Sequence, residues 1–251
     1  MTPSVRLGSV RGHLEGVSNV AGIIPARWGS TRLPGKAMAL IDGEPLVVHA
    51  WRAARACARF ERVYVTTDAD AIEAAVRAVG GDVLRVDAPC ISGTARVARA
   101  AALLDARLIV NLQGDMPRVP VSALDTLVDL LERGAPIATL SAPLAPERRA
   151  DSSVVKVVTD HAGRALYFSR APIPGDHHVG VYGFQADVLR RLTDLPRTAL
   201  AATEDLEQLD WLHAGLAVHV ARIDAAPLAI DTPLDLERAR TAFTPSSLSS
   251  Q

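Results

Sequence analysis

Three features of the sequence predict an α/β protein built on a mostly parallel sheet, with a smaller antiparallel lobe. Short apolar runs such as RLIVNL (107–112) alternate with longer segments whose apolar residues recur at helical spacing. These runs are apolar throughout rather than on alternate residues, as strands buried on both faces require. Beyond about residue 150 the order changes: SVVKVVT and ALYFS flank Asp160-His161-Ala162-Gly163, which resembles a hairpin turn.

In chain order, Val20–Ala26 is the first buried strand. Pro45–Ala58 (PLVVHAWRAARACA) has helical spacing, Arg62–Thr67 (RVYVTT) reads as a strand, and Asp70–Val79 as a helix. Asp82–Val86 and Arg107–Leu112 are strands separated by a helix over Gly93–Leu104. Pro120–Glu132 is a helix, and Ile137–Leu140 begins another strand. In the second part, Ser153–Thr159, Ala165–Ser169 and Val179–Phe184 are strands. Thr203–Ala214 reads as one helix, with Thr203 as N-cap and Glu204 and Asp205 in its first turn. A strand over Leu216–Arg222 follows, then a last helix, Leu234–Ala242, introduced by Thr232-Pro233. The expected organisation is a mobile leader over 1–18, one domain over 19–243 with the lobe inserted at about 150–200, and a disordered tail over 244–251.

The bulk composition excludes several classes. With 251 residues and 49% hydrophobic content the chain can bury a sizeable core. A net charge of −1 provides no field for bulk binding to nucleic acid. The two cysteines, Cys57 and Cys90, form no CxxC pair, which argues against a disulfide framework and a cysteine zinc site. No apolar run reaches the ~18 residues of a membrane span, and the N-terminus carries no signal-peptide core. A soluble, cytoplasmic protein without membrane or nucleic-acid partners is expected.

The loop IIPARWGSTRLPGK (23–36) places Arg27, Arg32 and Lys36 directly after the first strand. Open parallel sheets bind ligands at the carboxyl ends of their strands. Gly29 and Gly35 allow backbone N–H groups to approach a ligand closely, and a polyphosphate suits the three cations. The loop lacks GxGxxG. It also misses the Walker A pattern, because Gly29 and Gly35 are one residue too far apart and Ala37 follows the lysine. The residues by themselves also fit a solvated surface loop.

The string PARWGSTRLPGK resembles the signature loop of sugar nucleotidyltransferases, most closely that of the CMP-Kdo synthetases (3-deoxy-manno-octulosonate cytidylyltransferases). TTD (66–68), SGT (92–94), QGD followed by Pro117, ALYFSRAPIP (165–174), GVYGF (180–184), LEQL (206–209) and DTPLDLERAR (231–240) follow in that family's order. The resemblance implies a nucleotidyltransferase-like, Rossmann-like fold and in-line transfer of CMP from CTP to an acidic sugar, with release of pyrophosphate. Such chemistry runs on positioning and charge neutralisation. By the same match Arg27 and Lys36 bind the triphosphate and act with Asp115 in catalysis, while Arg32 joins them or braces the loop. Ser92, Gly93 and Thr94 lie against the cytosine, and Gln113 lies near the nucleotide. Asp115 and Asp231 become ligands of Mg²⁺, although Asp231 alone, in D-T-P, also reads as a helix N-cap. Arg170, His178 and Tyr182 align with the acceptor pocket, where Arg170 can fork onto a carboxylate or phosphonate; His178 by itself reads as a half-buried strand histidine. Glu204 and Gln208, four apart, would share a helix face that touches acceptor hydroxyls or faces water, while Glu207 faces elsewhere. A homodimer is implied.

Several positions depart from the family pattern. Met116 stands where QGDEP has glutamate, Ala95 follows SGT in place of an acidic residue, and Pro89-Cys90 replaces Asp-His. Only Gly175, Asp176 and His177 remain of a long loop between SRAPIP and HVGVYGF. The nucleotide half is intact while the acceptor half is trimmed, so the expected acceptor is a small acid, in particular a small phosphonate such as phosphonoformate. Kdo itself is the alternative acceptor. A non-catalytic nucleotide-binding paralogue and a glycosyltransferase using Asp68-Ala69-Asp70 as a DxD motif are readings from other classes.

Overall fold

A computed structural model of the chain describes residues 19–29 and 33–243. The leader 1–18, Arg32 and the tail 244–251 lie outside the described residues, and so do the expectations placed on them.

The first half alternates as the sequence predicts. Strand β1 (Val20–Pro25) leads through a tight hairpin of β2 (Leu40–Ile41) and β3 (Glu44–Pro45) into α1 (Leu46–Arg55). Then come β4 (Arg62–Thr67), α2 (Asp70–Ala78), β5 (Asp82–Arg85), α3 (Gly93–Ala101), β6 (Leu108–Asn111), α4 (Val121–Glu132) and β7 (Ile137–Ala142). The second half comprises β8 (Lys156–Thr159), β9 (Ala165–Ser169), β10 (Asp176–Gln185), α5 (Ala186–Leu192), α6 (Ala199–Glu204), α7 (Gln208–His213), β11 (Val218–Arg222) and α8 (Pro233–Phe243).

The main sheet has the order β11-β7-β10-β6-β1-β4-β5. Every neighbouring pair is parallel except those made by β10, which runs antiparallel between β6 and β7. Its first residues, Asp176 and His177, also pair with the β8–β9 hairpin. The antiparallel element is thus one long strand lodged in the main sheet, with the hairpin hung on its leading end. The expected strand Val179–Phe184 is only the middle of β10.

Alternate residues of β1 face two cores. Val20 and Ile24 pack with α1, α2 and α4, while Ala21 and Ile23 pack with α3, α5 and α7. A third, smaller cluster of Ile41, Leu46, Ile230, Leu236 and Ala239 ties α8 to the β2–β3 hairpin.

The helix expected over 203–214 is two helices. Asp205 adopts a left-handed conformation (φ 52°, ψ 50°) at the end of α6, and α7 starts only at Gln208. Aspartate tolerates this conformation better than most side chains. The N-cap of α6 is Thr198, whose hydroxyl accepts from the Ala201 amide; Thr203 lies inside the helix and donates to the Ala199 carbonyl. The short helix α5, without a cap or a long apolar stripe, is not anticipated from the sequence. Among the described residues no helix is long and apolar enough to cross a membrane.

Candidate active site

Strand β1 is flanked by β4 on one side and β6 on the other, so the sheet order reverses there and the crevice opens at the carboxyl ends of β1 and β6. Two clefts meet at this edge. The smaller, about 550 Å³, is lined by Arg27, Gly29, Lys36, Gly93 and Arg96. The larger, about 780 Å³, is lined by Arg170, His178, Tyr182, Glu207 and Gln208. Ser92, Gln113, Asp115 and Asp231 belong to both.

The backbone sets the charged residues of the smaller cleft. Gly35 takes φ +69°, a left-handed turn that costs a side-chain-bearing residue, and launches the 3₁₀ turn Lys36–Met38. Lys36 Nζ then donates to Asp115 Oδ2 at 2.6 Å and to Asp231 Oδ1 at 3.0 Å. Arg27 leaves the end of β1 exposed and, among the described residues, has no ion-pair partner. Asp115 follows β6 in a turn closed by the Met116 amide on the Gln113 carbonyl. The Ile230 amide donates to the Asp115 carbonyl at 3.0 Å, so the segment carrying Asp231 is pinned to the one carrying Asp115.

Asp231 does not cap α8. The Thr232 hydroxyl accepts from the Asp235 amide at 3.2 Å, and the Asp235 carboxylate accepts from the Thr232 and Asp231 amides. This reciprocal arrangement is a capping box and leaves the Asp231 carboxylate directed to the ammonium of Lys36. The two aspartates, 22% and 35% exposed, offer hard oxygen donors with room for water. Among the described residues no group of three or more His, Cys, Asp or Glu could hold a metal. A cation here would therefore rest on two carboxylates plus water or substrate oxygens, a donor set suited to Mg²⁺.

Ser92 caps α3 by accepting from the Ala95 amide, and its hydroxyl donates to Glu207 Oε2 at 2.9 Å. Thr94, grouped with the nucleotide residues by the resemblance, is 3% exposed, lines the larger cleft and donates to Glu207 Oε1. Gln113 is held by its Nε2 donating to the Gly180 carbonyl at 2.9 Å.

The larger cleft corrects three expectations. Glu204 and Gln208 do not share a helix face, because the break at Asp205 separates them. The Glu204 carboxylate is consumed by the Ser169 hydroxyl (2.6 Å) and the Arg170 amide (2.8 Å), and it lines neither cleft. Glu207, expected to face elsewhere, lines the cleft, and burial pushes its carboxyl up from the ordinary range against the two hydroxyls that donate to it. Gln208 is 3% exposed and lines the cleft as expected.

Arg170 follows β9, donating through Nε to the Glu204 carbonyl and through Nη1 to the Ser152 carbonyl. Its Nη2 has no partner among the described residues. Burial raises the Tyr182 phenol well above its usual range, with the nearby Glu207 charge adding to it, so the ring is neutral. Burial, with His177 adding, pulls His178 down to about 3, so this histidine is an uncharged imidazole. The DxD reading finds no support: Asp68 pairs with Arg96 at 2.6 Å, while Asp70 opens α2 and pairs with Arg85.

The sequence model of the cytidylyltransferase family matches residues 21–220. The chain is 44% identical over 234 residues to a 3-deoxy-manno-octulosonate cytidylyltransferase of Anaeromyxobacter dehalogenans (strain 2CP-C), covering 88% of this chain and 96% of that protein. It is 42% identical over 236 residues to the enzyme of the same name from Parvibaculum lavamentivorans, with 88% and 91% covered. The solved structure of a CMP:2-keto-3-deoxy-manno-octonic acid synthetase complexed with CTP superposes with a TM-score of 0.86 at 35% identity, over 89% of this chain and 97% of that one. Fold, sequence and the order of the motifs agree, and the chain belongs to the cytidylyltransferase family, among the CMP-Kdo synthetases.

Proposed function

We propose that this cytidylyltransferase transfers CMP from CTP to 3-deoxy-manno-octulosonate, releasing pyrophosphate. The observation that carries the reading is the pair of clefts sharing Asp115 and Asp231: a nucleotide in the smaller and an acceptor in the larger bring their reacting atoms to the same two carboxylates. The protein in the CTP-complexed structure above supports CTP as the donor here. The activity of the two relatives named above supports Kdo as the acceptor.

In this reading Arg27 and Lys36 neutralise the triphosphate, and their charge offsets what builds on the departing pyrophosphate. A hydroxyl oxygen of the sugar acid, losing its proton to solvent, attacks the α-phosphorus as the bond to the β-phosphate oxygen breaks. Asp115 and Asp231 would hold Mg²⁺, which when bound supplies further neutralisation of phosphate charge. Arg170, with Nη2 donors to spare, receives the acceptor carboxylate, and Glu207, Gln208 and Tyr182 address its hydroxyls.

The small phosphonate expected from the shortened loop is the less supported acceptor. The large cleft draws its walls from α3, α7, β10 and the segment around Ser153 and Val155, and Arg170 and His177, on either side of the shortened loop, line it too. What favours Kdo is that both relatives named above are 3-deoxy-manno-octulosonate cytidylyltransferases.

Pyrophosphate release with CTP and Mg²⁺ against Kdo, an 8-amino analogue and phosphonoformate tests the reading. Turnover with Kdo is expected. Turnover with a phosphonate alone would overturn the acceptor assignment, and CTP binding without any turnover would favour a paralogue that binds but does not react.

A further inference from the structure

Thr139 sits on β7 with no exposed surface, directly beneath the irregular part of β10. The register of β10 against β7 shifts between Val179 and Tyr182, and the Thr139 hydroxyl fills the inside of that bulge. Its oxygen lies 2.9 Å from the Val181 carbonyl, 3.2 Å from the Val179 carbonyl and 3.0 Å from His178 Nε2.

One hydroxyl proton cannot serve all three neighbours. A hydroxyl has a single proton, and both carbonyls only accept. If His178 Nε2 also lacked a proton, three acceptors would compete for one hydrogen around a fully buried hydroxyl, and unsatisfied buried acceptors are costly. With a proton on Nε2, the imidazole donates to Oγ1 and the hydroxyl donates onward to the Val181 carbonyl. Nδ1, the other ring nitrogen, then carries a lone pair and makes no hydrogen bond among the described residues. The ring lines the larger cleft and packs edge-on to Phe168 at 4.9 Å, which restricts its rotation.

We propose that Thr139 is a positioning residue that fixes His178 in the Nε2–H tautomer, leaving Nδ1 as a hydrogen-bond acceptor for a hydroxyl of the substrate in the larger cleft. The assignment of that cleft to the acceptor rests on the function proposed above. The chemical consequence is selective. A nitrogen lone pair welcomes an O–H donor and repels an oxyanion, so this position favours a hydroxylated acid over a compact dianion such as a phosphonate. Arg170 and His178 act on different parts of the acceptor, the guanidinium on the acid group and the imidazole on a hydroxyl.

The test begins with the full chain labelled with ¹⁵N at histidine, in long-range ¹H–¹⁵N correlation at neutral pH. The His178 signals are assigned by their loss in H178Q. The expected pattern is one protonated nitrogen, Nε2, and one unprotonated, Nδ1. A proton on Nδ1, or a rapidly averaged mixture of both forms, overturns the proposal without reference to any substrate. Steady-state kinetics adds a second arm. T139V is expected to raise KM for Kdo about tenfold, the loss of one hydrogen bond, while KM for CTP stays put. T139S, which keeps the hydroxyl, is expected to restore it. Equal damage in T139S and T139V overturns the role of the hydroxyl. Should T139V fail to fold because the bulge collapses, the tautomer measured in the wild-type chain decides the matter. An Nε2–H signal in a protein that does not turn over Kdo would sink the proposed function and leave the tautomer standing.

Discussion

Lys36 Nζ lies 2.6 Å from Asp115 Oδ2, and the same ammonium reaches Asp231 Oδ1 at 3.0 Å. The three residues come from the loop after β1, the turn after β6 and the entry to α8, so one cation gathers three distant parts of the chain. Two carboxylates around one ammonium leave a net negative charge, as the proposed binding of a divalent cation and a triphosphate would require.

Replacing Lys36 with methionine is therefore expected to remove activity rather than fold. The pairs are partly exposed, and exposed pairs contribute about 0–1 kcal/mol to stability. The loss of a fixed positive charge facing developing phosphate charge is expected to lower kcat/KM by about 100-fold or more. Lys36→Arg restores little, because a planar fork does not substitute for a point charge between two carboxylates. Pyrophosphate release and thermal unfolding, measured side by side, check this; a large fall in melting temperature with Lys36→Met would make the lysine a structural residue.

Asp231 and Thr232 are neighbours with separable roles. Asp231→Asn is expected to raise the Mg²⁺ concentration needed for half-maximal activity and to leave the melting temperature unchanged, because capping of α8 falls to Thr232 and Asp235. Thr232→Ala removes a capping hydroxyl and is expected to cost about 1 kcal/mol of stability. A Mg²⁺ titration of activity and a denaturant curve on each variant separate the two. An unchanged Mg²⁺ requirement in Asp231→Asn would remove that residue from the metal.

The acid limb of stability has a named contributor. Burial depresses His178 to about 3, while an unfolded chain titrates it near ~6.5. Between those values the unfolded state binds more protons than the folded one, so stability falls as pH falls through that window. His177 is also lowered, chiefly by burial, and acts with the same sign. The free-energy difference between the wild type and His178→Gln, measured by urea unfolding, is expected to move against the wild type as pH falls below ~6.5. A difference independent of pH would mean that the imidazole is not buried in neutral form.

How legible these features are in the sequence depends on whether they are local. Apart from the short β2–β3 hairpin, the strands and helices up to Ala142 follow from apolar periodicity, and the loop carrying Arg27 and Lys36 announces itself by its cations. The convergence of Asp115 and Asp231 is not local, and in the sequence only the family resemblance links them. The break at Asp205 carries no glycine or proline, so the pattern of 203–214 reads as one helix; the left-handed turn then rotates Glu207 into the cleft and Glu204 out of it. The antiparallel place of β10 depends on pairing with β6 and β7, strands distant in the chain, which no local pattern records. Thr139 is an ordinary strand threonine until the bulge opposite it is known.

Lys156 has no exposed surface although it carries an ammonium. Its Nζ donates to the carbonyls of Val154 (2.7 Å), Arg170 (2.7 Å) and Asp151 (3.2 Å). Burial lowers its pKa, and Asp151 and Glu204 oppose that shift. The three carbonyls belong to the loop ahead of β8 and to the residue whose guanidinium faces the larger cleft, so the lysine sets the height of Arg170 relative to Ser153 and Val155. Lys156→Met leaves those carbonyls without their donor, at a cost of roughly 2 kcal/mol or more. It is also expected to raise KM for the acceptor about tenfold while KM for CTP is unchanged, since no residue of the Lys156 network lines the smaller cleft. Saturation kinetics for each substrate at a temperature where the variant remains folded is the check. Equal rises in both KM values, or none in either, would reduce Lys156 to a support of the hairpin with no part in placing Arg170.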